Sequence, residues 1–147
     1  MVNFSKATLL FAIGYVTAVG IAAILFPIQP SLRILIVFGT VQLIYTELHY
    51  FYLTKSKIEI EKSLREILKV GLYWSVLTFI LDFVLFSIIV PYLIGGRLEL
   101  AFIANQPFLY WLQFPMLVVT GIIARITYIK VFKIQAEAAQ KEEVLIQ

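Results

Sequence analysis

The sequence predicts an all-α polytopic membrane protein: a bundle of four transmembrane helices, with an amphipathic cytoplasmic connection between helices 2 and 3 and a helical C-terminal extension. Three observations predict it. Hydrophobic residues make up 61% of the 147 and charged residues 14%, against about 45–50% and about 25% in an ordinary soluble domain. Four apolar runs each approach the roughly 20 residues a helix needs to cross a bilayer. Lysine and arginine gather in alternate connections between these runs, the pattern that marks the cytoplasmic side. The length suits a single domain, residues 1–147.

The first run covers about 7–26. It is longer than the roughly 7–15 apolar residues of a secretory signal, so a retained helix is expected. "FPIQPSLR" follows, and its two prolines stop one helix and turn the chain toward the next. The second run, about 34–53, therefore forms a tight helical hairpin with the first.

The segment "TKSKIEIEKSLREILK" joins runs two and three. Its Ile60, Leu64, Ile67 and Leu68 recur at helical spacing, which predicts an amphipathic lead along the membrane surface into run three, about 70–93. "IGGRLELAFIANQP" makes the next connection, and its Asn105 and Pro107 suit the start of a helix. The fourth run, about 107–129, contains Pro115, a candidate kink, and passes into a tail, 130–147, rich in helix formers and mixed charge. Lys6, Lys55, Lys57, Lys62, Arg65, Lys69, Lys130, Lys133 and Lys141 fall on one side, and Arg33 and Arg97 on the other. Both termini are expected in the cytoplasm, in a plasma or inner membrane. Aromatic residues such as Phe26, Tyr50, Tyr92 and Trp111 fall near span ends, as interfacial anchors do.

Small residues mark the packing faces. Gly14, Ala18 and Ala22 repeat every four residues in run one, and Gly121 and Ala124 form a shorter version in run four. Lipid tails are as apolar as leucine, so helix association depends on close approach, which small side chains permit. Contacts within one bundle are the expected use.

The polar residues inside the runs are the candidate functional groups. In run three Gly71, Ser75, Thr78 and Asp82 share one helical face, which should look into the bundle. Asp82 is 13 residues beyond Lys69, roughly 20 Å into a hydrocarbon core of about 30 Å. A mid-span aspartate costs about 2.5–3.5 kcal/mol on the insertion scale. More than a dozen Leu, Ile, Phe and Val side chains in the same run each return about 0.3–0.6 kcal/mol. Insertion wins, and pairing, water or protonation must meet the remaining cost. Glu47 and Arg125 lie at similar depths from the inner ends of runs two and four, so a Glu47 to Arg125 ion pair is the simplest arrangement, with Arg125 leaning toward Asp82. His49, the only histidine, falls on the face opposite Glu47 together with Gln42, Tyr45 and Tyr52. It is read first as an interfacial side chain and only second as a site residue.

No cysteine is present, which excludes disulfides, thiolate metal sites and cysteine nucleophiles. No glycine-rich phosphate loop, metal-ligand spacing or serine–histidine–aspartate arrangement appears, so neither an enzyme, a cofactor nor a metal is expected. The net charge of +3 is read as a topology signal and not as a nucleic-acid surface. Besides the lipid bilayer, the partners expected are a second copy or another membrane protein. Two roles follow. One is a non-catalytic interaction or assembly component, favoured because no internal repeat marks a transport pathway. The other is a proton- or ion-coupled transport or channel subunit using Asp82 with Glu47 and Arg125.

Overall fold

The computed structural model describes residues 2–25, 27, 29–93 and 108–146, with the side chains of 30, 31, 91, 93 and 136–146 left aside. The expectations placed on Phe26, Arg97, Asn105, Pro107 and the Lys141 side chain lie outside the described parts. The elements are α1 (Phe4–Ile24), α2 (Pro30–Lys55), α3 (Ile60–Val84), a π-helical turn (Leu85–Ile89), α4 (Val90–Leu93) and α5 (Phe108–Ile146).

Local chemistry sets the boundaries. Asn3 caps α1 by accepting the Lys6 N–H at 3.1 Å. Pro30 opens α2 in the first turn, where its missing N–H costs nothing. The α2 terminus closes with Ile58 N–H on the Leu53 carbonyl and Lys57 at a φ of 48°, the left-handed position that usually belongs to glycine. Beyond Val84 the ladder widens, with the Val90 N–H reaching back five residues to Leu85. Pro91, which brings no N–H, follows at once. α5 continues through Pro115 as one helix.

Three helical segments, Phe4–Ile24, Leu32–Lys55 and Ile60–Ile89, are long and apolar enough to cross a bilayer. Leu9, Val16, Leu43 and Leu72 are each at least 60% exposed on the outside of the bundle. A belt of that kind is unfavourable in water and at home in lipid.

α5 packs along both α2 and α3, while α1 packs on α2 and less extensively on α3; α2 and α3 scarcely touch. The helices thus follow one another around the bundle as α1, α2, α5, α3. The core joins Ala7, Leu10 and Phe11 of α1 to Tyr45 and Tyr52 of α2, Val70 and Trp74 of α3 and Leu117 of α5. Trp74 satisfies its indole N–H on the Ala7 carbonyl at 2.9 Å. Glycines allow the close approaches: a Cβ on Gly71 would lie 3.0 Å from the Val118 Cα, and one on Gly14 would lie 2.7 Å from a Leu48 methyl.

The connection between the second and third runs differs from expectation. Its helical part is the start of α3 itself and packs in the bundle instead of lying apart on the membrane surface. Ser63, Glu66 and Ile67 are buried there, while Leu64 is 41% exposed. The reason is polar: Arg125 of α5 donates to Ser63 at 2.8 Å, and Tyr128 donates to the Ile58 carbonyl at 2.8 Å. These bonds turn the Ser63 face, not the Leu64 face, toward α5.

Candidate functional site

Asp82 stands on the buried face of α3, one turn beyond Thr78 and two beyond Trp74, and is 7% exposed. The face is polar but self-satisfied below it. Thr78 donates to the Trp74 carbonyl at 2.9 Å. Ser75 Oγ lies 2.8 Å from both the Gly71 carbonyl and the Phe114 carbonyl of α5, and its one proton serves one of them.

Asp82 cannot be satisfied by its own helix, so the neighbours supply donors. Tyr15 of α1 donates its hydroxyl to Oδ1 at 2.7 Å, and Gln113 of α5 approaches Oδ2 with its amide at 3.4 Å. The Tyr110 hydroxyl is buried on the same cavity wall and faces the Asp82 carboxylate. Gln42 of α2 completes the ring, with both polar atoms of its amide buried and unpartnered among the described residues. Every donor to Asp82 is neutral, and no described cation lies against it. A carboxylate held this way has its lone pairs partly satisfied and its charge uncompensated.

These side chains surround a cavity of about 190 Å³ to which α1, α2, α3 and α5 all contribute, large enough for several waters. A second cavity of about 390 Å³ shares Ala22, Val37, Gln42, Tyr110 and Gln113 with it and extends to Arg33 at the start of α2. On the opposite side the bundle is closed. His49 and Trp74 meet ring to ring at a tilt of 46° with centres 4.1 Å apart, and Phe11, Tyr45 and Leu117 pack around Trp74. Among the described residues, the Asp82 cavity therefore shares its lining with the space toward Arg33, while the His49–Trp74 layer lies toward the Lys55 end.

His49 is 0% exposed and sits within the seal, not at the membrane interface as first read. Its Nδ1 lies 2.7 Å from the Tyr45 carbonyl. A carbonyl only accepts, so Nδ1 carries the proton and Nε2 is left with a lone pair. Nε2 is buried and, among the described residues, unpartnered, against α5 where Gly121 leaves room for it.

Glu47 and Arg125 are not brought together. Glu47 is exposed on the outer face of α2, while Arg125 turns to Ser63. Ser63 and Asp82 are 19 residues apart on one helical segment, about 28 Å at about 1.5 Å per residue, so Arg125 serves the Lys55 end of the bundle and cannot lean toward Asp82. Gly14 meets Tyr45 and Leu48 of α2, Ala18 and Ala22 line the Asp82 cavity, and Gly121 meets His49 and Ile67.

Tyr15, Gln113, Tyr110 and Gln42 were missed as site residues. A signal existed for Tyr15, which lies one residue from the Gly14, Ala18, Ala22 stripe and so leans toward the packed face of α1. Among the described residues no three of His, Cys, Asp and Glu converge in a way that could hold a metal ion. No family model, curated protein or solved structure matches the chain.

Proposed function

We propose that the chain crosses the bilayer four times, with α5 as the fourth crossing and both ends in the cytoplasm, and that it acts without catalysis as a transport or conduction subunit carrying a proton or small cation on Asp82. The fourth crossing is supported by the outward faces of Val119, Ile122, Ile123 and Ile126 on α5, alongside α2 and α3. The carrying role rests on one observation: a mid-bundle carboxylate with neutral donors only, opening on a cavity. In a medium that penalises isolated charge, binding a proton or cation there relieves the penalty, and the Tyr15 and Gln113 contacts hold the oxygens in place for it. The His49–Trp74 seal then separates the two sides until it opens. Glu47 and Arg125 have no part in this step.

The test is proton or cation flux in liposomes holding the purified full chain. Asp82→Asn keeps the size of the side chain and should abolish flux while leaving insertion and unfolding close to wild type. Flux that persists in a folded Asp82→Asn protein would remove Asp82 from the mechanism.

A second reading, an interaction or assembly component, is favoured by the length of α5, which continues past residue 129 with Phe132 and Ile134 exposed. Truncation after Lys133 should then lose a co-purifying membrane protein. A full chain that purifies alone counts against it.

A further inference from the structure

At the end of the bundle opposite the Arg33 cavity, a pocket of about 440 Å³ is walled by the start of α1, the end of α2 and the start of α3. Four of its lining residues are lysines: Lys6, Lys55, Lys57 and Lys62. Two carboxylates share it. Glu59 is taken up by Lys62 at 2.6 Å, and Glu66 is buried at the base. Lys6 gives one proton to the Lys55 carbonyl at 3.0 Å and keeps two others to donate. Ser56 Oγ is buried on the pocket wall without a partner among the described residues. The α3 terminus opens on the same space with no side-chain cap hydrogen bond, so the positive end of its dipole adds to the lysine charge.

The surroundings show what kind of anion fits. The lysines border apolar surface: the Lys55 ammonium lies 5.5 Å from the centre of the Phe51 ring, which is 46% exposed. A ligand that pairs with these lysines and lies along that ring is amphiphilic. The lysine distribution also sets this end at the cytoplasmic leaflet, where anionic lipids meet basic pockets between helices.

We infer that this pocket binds the phosphate of an anionic lipid headgroup, held by Lys6, Lys55 and Lys57 with Ser56 as a further donor. The site is independent of the Asp82 cavity. Lys57 offers a clean variant, because its left-handed backbone accepts glycine without strain.

The experiment uses the full chain in nanodiscs of phosphatidylcholine with a minor share of phosphatidylglycerol, and measures retained lipid by native mass spectrometry. Phosphatidylglycerol should be held at least about tenfold more tightly than phosphatidylcholine. The combined Lys6→Gln, Lys55→Gln and Lys57→Gly variant should lose that preference, Lys57→Gly alone should weaken it several-fold with no drop in the unfolding midpoint, and Lys130→Gln with Lys133→Gln should leave it unchanged. Failure of millimolar inorganic phosphate to displace the lipid supports the headgroup as the ligand. Displacement supports the phosphate chemistry of the pocket but makes free phosphate the source. Equal retention of the two lipids overturns the inference, as does a Lys130 and Lys133 pair that matters as much as the pocket lysines.

Discussion

Removing the Tyr15 hydroxyl tests the contact on which the Asp82 site depends. The Tyr15 bond is 2.7 Å long, whereas the Gln113 approach is 3.4 Å and contributes little. A hydrogen bond to a charged acceptor is worth about 1.5–3 kcal/mol, while neutral side-chain bonds between membrane helices average about 0.6 kcal/mol. The coupling between Tyr15→Phe and Asp82→Ala in a double-mutant cycle should therefore reach about 1.5–3 kcal/mol, roughly a 10- to 150-fold change in the folding equilibrium. The cycle subtracts the cavity left by Asp82→Ala, which occurs in both arms that carry it. Reversible unfolding in bicelles at neutral pH gives the four free energies. A coupling at or below about 0.6 kcal/mol would mean that Asp82 is not an anion held by Tyr15, and the charge-relief argument for carrying a proton or cation would fail.

Four further outcomes are expected. Gly121→Ala places a Cβ 2.5 Å from the Ile67 Cγ2 and 3.3 Å from the His49 ring, and should destabilise the bundle by about 1–3 kcal/mol. Gly20→Ala meets nothing within 4 Å and should be neutral or stabilising by up to about 1 kcal/mol in the same unfolding assay. Lys57→Gly relieves the φ of 48° and should raise stability by about 0.5–1 kcal/mol after the added freedom of the unfolded chain is subtracted from the left-handed cost of about 1–2 kcal/mol; a fall in the unfolding midpoint would contradict that backbone conformation. Because the chain has no cysteine, single cysteines at Gln29, Lys57 and Lys133 can be labelled from either side of the membrane. Lys57→Cys and Lys133→Cys should react from one side and Gln29→Cys from the other; a Lys133→Cys that reacts with Gln29→Cys would show that α5 does not cross.

The solvent of the protein, its helical class and the inward face of Asp82 were legible in the sequence because all three depend on local quantities. Run length is set against bilayer thickness, backbone hydrogen bonds close within each helix, and a period of 3.6 residues assigns Gly71, Thr78 and Asp82 to one side. Small residues likewise pointed to packing faces, and Gly14 and Gly121 do lie where helices come closest. The partner of Asp82 was not legible. It depends on the axial register and rotation of one helix against another, which no single stretch encodes: a shift of a few residues would exchange Tyr15 for another side chain, and depth counted from span ends wrongly offered Arg125. Register also put His49 under Trp74 inside the bundle, although as a lone histidine near a span end it resembled an interfacial residue. Only the packed helices could decide these matters, because a buried polar group takes its donor from whichever neighbour stands level with it.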